Sequence, residues 1–383
     1  MRKLYYEDSM LSSFEAVVTA CTPADAGFLV ELDATAFYPE GGGQACDLGY
    51  IGDAQVLDVR EQGEQVVHLC DQAVAVGSRV SCRLNWQRRF DLMQQHTGEH
   101  IVSGVIHEMF GYENVGFHVG ADVMTVDFDG MLTEEQLKEV ELRANRAVWE
   151  NVAIRCWIPG PEELKTITYR TKRALPWPVR IVQIPGIDSC ACCGVHTATT
   201  GQVGVIKLFS CVKFHGGARM EMACGKRALD ILNGIYEQNR QVSQTFSAKA
   251  METGEAARRV SELLAAEKYR ANSLQRQLFA FKAKGFAGKD MAVCFEDGLD
   301  GGQLRCFAEE LSSVSSLAAV FSPNDQGCSL CLAGDSDRVK NLGAALTKAL
   351  NARGGGKPGF YQGSVPAGRE QIVAFLTAFE QNS

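Results

Sequence analysis

Gln95-His96-Thr97-Gly98-Glu99-His100, read together with Cys192-Cys193-Gly194-Val195-His196, decides how the rest of the chain is understood. On an α-helix, side chains four residues apart share one face about 6 Å apart, so His96 and His100 are spaced to offer two imidazoles to a single metal ion. Cys192 and His196 repeat that spacing and complete a four-ligand set. Three imidazoles and a thiolate are soft-to-borderline donors, which suit zinc better than magnesium or calcium. Cys190 and Cys193 stand close enough to compete as donors. Sequence leaves open whether such a zinc is structural, closed by four protein ligands, or catalytic, with a position for water or substrate. Glu99 is placed about 60° around the helix from His96, either at the rim of the site as a general base or as a solvated helix carboxylate. His107 shares the helix face but lies about 10 Å beyond His100 along the axis, which is too far to share the ion.

Working outward, a chain of 383 residues exceeds one core, and two to four domains are expected. Hydrophobic residues at 46% and charged residues at 22% describe an ordinary globular composition. No apolar run has the length to cross a bilayer, and no apolar stretch follows Arg2 and Lys3, so the expected location is cytoplasmic. The 14 cysteines, mostly scattered singly, fit a reducing compartment better than a disulfide framework. A formal charge of −8 gives no general attraction to a polyanion, so nucleic-acid binding would have to come from local basic patches. Two groups qualify: Lys165, Arg170, Lys172, Arg173 and Arg180, and Lys207, Lys213, Arg219, Lys226 and Arg227. For each, a solvated face is the plainer reading.

Short apolar runs separated by turn formers from residue 14 to 85 predict a small N-terminal β-barrel over 1–86. Helical spacing follows from Arg88 to Phe110, then strands at Val123–Phe128, then a helix from Thr133 to Glu150 with Thr133 as its cap. Prolines 159, 161, 176, 178 and 185 put the cysteine cluster on a loop or strand. The expected fold class is α+β, with a zinc-binding core over 87–225. Leu229, Leu232, Tyr236, Asn239, Ser243, Phe246 and Ala250, then Val260, Leu264, Glu267, Ala271, Leu274, Leu278 and Phe281, step by three and four. They predict two helices over 226–285, a spacer or dimer arm, with Thr253-Gly254-Glu255 supplying the cap and break. Alternating strands and helices over 286–383 predict a separate C-terminal α/β domain.

Two glycine-rich stretches are unusual. In Thr35-Ala36-Phe37-Tyr38-Pro39-Glu40-Gly41-Gly42-Gly43-Gln44, three glycines allow backbone N–H groups to approach a ligand, or make a flexible turn of the barrel. It is not a P-loop, since no Gly-Lys-Ser/Thr follows. Ala352–Gly363 combines cations, aromatic rings and glycine, a composition suited to RNA backbone and bases.

These motifs resemble those of a known family. His96-Thr97-Gly98-Glu99-His100-Ile101 resembles the His-Thr-x-x-His-Leu motif of the editing domain of alanyl-tRNA synthetase and of its free-standing relatives, the alanyl-tRNA editing proteins (AlaX). Cys192-Cys193-Gly194-Val195-His196 resembles their Cys-Gly-Gly-Thr-His, with Cys193 and Val195 as departures. Phe37–Gln44 is similar to their glycine-rich motif, and Val115–Asp127 to the segment joining the two metal motifs. Gly354–Gly363 resembles the synthetase's C-terminal domain, so the resemblance to the long form of AlaX runs from end to end. It implies zinc held by His96, His100, Cys192 and His196, with Thr35 and Gln44 lining the pocket that meets the serine hydroxyl. It also implies hydrolytic editing in trans of Ser-tRNA(Ala), with Gly-tRNA(Ala) as a further candidate, a second sieve for errors that an alanine-sized pocket rejects weakly. Two readings compete: a zinc protease using the inverted His-x-x-Glu-His pattern, and a non-catalytic tRNA-binding zinc protein.

Overall fold

A computed structural model describes residues 1–171 and 177–381. Lys172, Arg173 and Pro176 lie outside the described residues. The chain divides into two compact units, Met1–Gln241 and the residues from Val242 onward. The division falls inside the helix Gly225–Thr245, so the expected spacer 226–285 is shared between them.

The first unit opens with six antiparallel strands that close into a barrel: Ser13–Ala24, Gly27–Leu32, Gln65–Cys70, Ala54–Gln62, Gly49–Ile51 and Arg79–Leu84, in that spatial order. Alternation along the strands turns Ala16, Val18, Val30, Leu32, Val56, Val59 and Val66 inward to form its core. Asn85 then caps the helix Trp86–Phe110, its side chain accepting from the Arg88 amide at 3.2 Å, and Gly111 in the left-handed conformation ends it.

That helix and Glu134–Glu150 cover a four-stranded antiparallel sheet ordered Ile206–Phe214, Gly217–Cys224, Met124–Phe128, Asn114–Val119. Thr133 caps the second helix in a reciprocal capping box with Gln136. Ile101, Val102 and Ile106 are fully buried against Met124, Met220 and Met222. Each such side chain contributes about 1.5–3 kcal/mol relative to exposure. The burial extends to the helix face opposite both histidines because Gly98 has no side chain: a Cβ there would lie 2.1 Å from the Cys224 sulfur. A third sheet, Arg155–Trp157, Ile181–Ile184 and Asp188–Ala191, leads into the loop that carries Cys192 and His196.

The second unit holds the helix Thr253–Lys284 and a mixed five-stranded sheet ordered Met291–Phe295, Leu317–Asn324, Gly327–Gly334, Phe360–Val365, Arg353–Lys357. Its cores gather around Phe307, Leu311 and Val320 and around Leu330, Leu342 and Ile372. The sequence placed the break between the long helices at Thr253-Gly254-Glu255, but helix already begins at Thr253, and Glu252 at the cap makes no side-chain capping bond. The break occupies residues 246–252, where the Ser243 hydroxyl donates to the Ala248 carbonyl and helps end the first helix.

Candidate metal centre

The helix and the loop meet where the motif spacing requires. One donor atom from each of His96, His100, Cys192 and His196 lies within 4.8 Å of all the others. The ring nitrogens are sorted by their partners. His96 Nδ1 meets Gln44 Oε1 at 2.8 Å, His100 Nδ1 meets an Asp188 oxygen at 3.0 Å, and His196 Nδ1 meets Thr97 Oγ1 at 3.3 Å. Each Nδ1 is therefore engaged, which leaves each Nε2 for the cluster. His96 Nε2 stands 3.4 Å from Cys192 Sγ, and His196 Nε2 is buried with no hydrogen-bond partner. Buried polar atoms are almost always satisfied, so an orphaned imidazole nitrogen beside a thiol and two more imidazoles fits a metal ion.

The electrostatics of Cys192 and His196 agree with that use. Burial raises the Cys192 thiol pKa, but neighbouring His96, His100 and His196 overcome it and hold the pKa well below the ordinary value, favouring thiolate. Burial disfavours charge on His100, yet the hydrogen bonds it donates to Asp188 and Cys192 raise its pKa well above 6.5. His196 goes the other way, pushed down to about 3 by burial and then by His96, so it is neutral. Asp188 suffers desolvation too, but His100 and Arg170 outweigh it and keep the carboxylate ionised. Arg170 binds that carboxylate through Nε at 2.8 Å and Nη2 at 3.0 Å, so the orienting group is itself oriented.

The loop is held from outside. Arg180, only 7% exposed, donates to the Cys192 and Gly194 carbonyls at 2.9 and 2.8 Å, and Ser9 Oγ donates to the His196 carbonyl at 2.8 Å. Gly194 passes so near the His96 ring that a Cβ would sit 2.1 Å from its Cε1. Ser9 is tied in turn to Arg89, which donates to its carbonyl at 3.0 Å, to the Asp47 carboxylate and to the Ala36 carbonyl. Asp47 accepts the Tyr38 amide at 2.6 Å, so one fully buried ion pair fixes the glycine-rich segment, the N-terminal segment and the helix together.

Other residues singled out in the sequence fall as follows. Gln44 reaches the cluster: its Oε1 accepts from the Val195 amide at 3.3 Å and meets His96, while its Nε2 is buried without a partner. The turn before it closes by mutual backbone bonds of Gly41 and Gln44, with Gly42 and Gly43 at φ of 56° and 83°, which suits glycine. Thr35 is instead engaged with the barrel, its hydroxyl 2.9 Å from His68 Nε2 and accepting the Phe37 amide at 3.1 Å. His68 Nδ1 contacts the Val30 carbonyl, which only accepts, so that nitrogen carries the proton and Thr35 donates to Nε2. Burial pushes the His68 pKa down to about 4, consistent with that neutral ring.

Glu99 is not a solvated carboxylate but is 5% exposed, accepting from Ser103 Oγ at 2.6 Å and from the Asn114 amide. His107 sits on a partly exposed stretch of helix and pairs with Glu113 at 2.9 Å. Cys190 joins a second group with His100 and Asp188, burial pushing its thiol up to about 11, whereas Cys193 is exposed and belongs to neither group. Arg219 is paired with Asp127, Arg227 with Asp91 and Lys207 with Glu141, which neutralises most of the second basic group. Sequence reasoning missed Asp188, Arg89 and Asp47, and named Arg180 only as part of a basic patch. The available signal was Arg89 itself, a cation in the first turn of a helix, where the dipole disfavours it.

With the site in view, comparison with known proteins is informative. Residues 4–88 match the family of class II (A) tRNA synthetases, and residues 179–221 match the threonyl and alanyl tRNA synthetase second additional domain. Alanyl-tRNA editing protein Aarsd1 of Danio rerio is 27% identical over 395 residues, spanning 96% of this chain and 95% of that one. Its counterpart in Rattus norvegicus is 28% identical, covering 98% and 97%. Alanine–tRNA ligase of Thermofilum pendens is 30% identical over 403 residues, which is 99% of this chain but 44% of the ligase. The fold and the motif order thus define a relative of a synthetase editing region. Along nearly its whole length the chain is similar to the alanyl-tRNA editing proteins, and it is AlaX-like. No helix among the described residues is long and apolar enough to cross a membrane.

Proposed function

We propose that the protein is a deacylase that removes wrongly attached amino acids from tRNA(Ala) in trans, with Ser-tRNA(Ala) as main substrate and Gly-tRNA(Ala) as a second. The observation that carries this reading is the buried convergence of three imidazole Nε2 atoms and the Cys192 thiolate beside the unsatisfied Gln44 amide. The names of the relatives, alanyl-tRNA editing proteins along nearly their whole length, support it. His96, His100, Cys192 and His196 would hold zinc, which when bound supplies Lewis-acid polarisation of an ester carbonyl or of water. Gln44 orients His96 through Oε1 and offers Nε2 as a donor to an incoming oxygen, the seryl hydroxyl or the ester carbonyl. Thr35, held by His68, anchors the strand that feeds the Gln44 loop, and its hydroxyl is already committed in this conformation.

Chelator-treated and zinc-restored protein should be compared on Ser-, Gly- and Ala-tRNA(Ala). Serine release should require the metal and should exceed alanine release by at least about a hundredfold, a discrimination that hydrogen-bond readout of a hydroxyl can supply. Peptide hydrolysis without deacylation would favour the protease, and tight binding of Ser-tRNA(Ala) without turnover would favour the non-catalytic reading.

For the second unit we propose tRNA contact through the wholly exposed glycine strand Arg353–Lys357, and self-association through the helix Thr253–Lys284. Val260, Leu264, Leu274, Leu278 and Phe281 follow heptad spacing and are 41–70% exposed, an apolar stripe of the kind that pairs with a like helix. Light scattering should give twice the monomer mass, and Leu264→Glu with Leu274→Glu should halve it. A monomeric parent protein would remove the dimer from the proposal.

A further inference from the structure

Glu99 has one of its two carboxylate oxygens fully engaged. Oε1 accepts from the Ser103 hydroxyl and the Asn114 amide, both side chains buried, while Oε2 lies on the Nε2 side of His100, 3.9 Å away. Because Asn114 must turn its NH2 to the carboxylate, its own Oδ1 is the atom left over, and it is buried with no hydrogen-bond partner. Among the described residues the one basic group set against Glu99 is the His100 ring, at 3.9 Å and beyond hydrogen-bond reach, and its Nε2 belongs to the donor cluster; the nearby Arg170 is committed to Asp188 and Glu113. The wall beside His100 therefore has two acceptor oxygens to spare, one on a carboxyl group and one on an amide, and has spent its local donors. A buried carboxylate is costly to keep without a cation or further donors. What this arrangement lacks is hydrogen-bond donors, and a compact group rich in N–H bonds would supply them.

We propose that Glu99, backed by Ser103 and Asn114, recognises the α-ammonium group of the aminoacyl ester. The inference rests on the deacylase reading above and adds the part of the substrate that the side-chain pocket does not read. An amino acid on the ribose presents three features at once: ester carbonyl, side chain and α-ammonium. The four-ligand cluster and Gln44 address the first two. Glu99 sets a requirement common to all aminoacyl esters, which would turn away N-acylated esters while leaving the choice between serine and alanine to other groups.

The test uses the full-length zinc-loaded protein and a non-hydrolysable probe, the seryl amide of 3′-amino-3′-deoxyadenosine, with its α-amine free or acetylated. Parent protein should bind the free amine more tightly by on the order of tenfold, as a charge-assisted bond in a buried site provides. Glu99→Gln should bind both probes with the weaker affinity and keep its full zinc content. Asn114→Ala, which leaves the carboxylate in place, should show a reduced preference and carries the test if Glu99→Gln does not fold. Retention of the preference in either variant, or loss of zinc from Glu99→Gln, overturns the proposal, the latter because Glu99 would then serve the metal cluster. Equal binding of both probes by parent protein overturns it while leaving the deacylase reading intact. Binding of neither probe, with no deacylation of Ser-tRNA(Ala), removes both.

Discussion

His100→Ala should purify with little zinc and should deacylate Ser-tRNA(Ala) more than about a hundredfold more slowly than the parent, beyond the usual loss from disturbing only a residue behind a ligand. The reason is that His100 joins both ends of the arrangement. Its Nε2 belongs to the donor cluster, and its Nδ1 carries the bond to Asp188, which Arg170 holds from behind. Truncation removes a donor and leaves the Asp188 carboxylate in a buried site with one side-chain partner instead of two. Metal analysis and single-turnover deacylation are the two readouts. A variant that kept its zinc and its rate would show that another donor set is in use.

Arg89→Met should be the most destabilising single change in the first unit. Breaking a buried ion pair by removing one partner costs about 3–5 kcal/mol, because the other charge is stranded. Asp47 would keep only backbone donors in a site where it is 1% exposed, and the Ser9 and Ala36 carbonyls would lose theirs. In a unit of this size that corresponds to a fall in melting temperature on the order of ten degrees. Adding Asp47→Leu should restore part of the loss, as replacing both partners with apolar groups removes the stranded charge. If Arg89→Met melted within two or three degrees of the parent, roughly a kilocalorie's worth, the clamp would have no energetic role.

Much of the site was legible because its spacing is local. His96 and His100 needed only a helix, and the periodic apolar residues from Arg88 to Phe110 announced one. That Cys192 and His196 would meet them was inferred from donor chemistry and from resemblance, and the structure brings the four together. The groups that orient those donors were not legible. Arg180 was read only as part of a basic patch and Asp188 and Arg89 not at all, since burial of an ion pair depends on contacts with segments far away in sequence, such as Ser9 and Asp47. Glu99 was mistaken for a possible solvated carboxylate for the same reason: its burial comes from the strand that begins at Asn114. Thr35 was assigned to the pocket by resemblance, whereas its hydroxyl partner, His68, lies across the barrel and gives no local sign. At the helix break, Thr253 had the chemistry of a cap, but Ser243 ends the preceding helix earlier by bonding to Ala248.

Cys192 and Cys193 are adjacent and face opposite ways, the first turned inward to His96 and the second open to solvent. A fluorophore tethered at Cys193 would therefore sit one peptide unit from Cys192, the proposed zinc ligand, without displacing it. The fold thus provides a built-in attachment point from which arrival and departure of a charged nucleic acid could be followed optically, turnover by turnover.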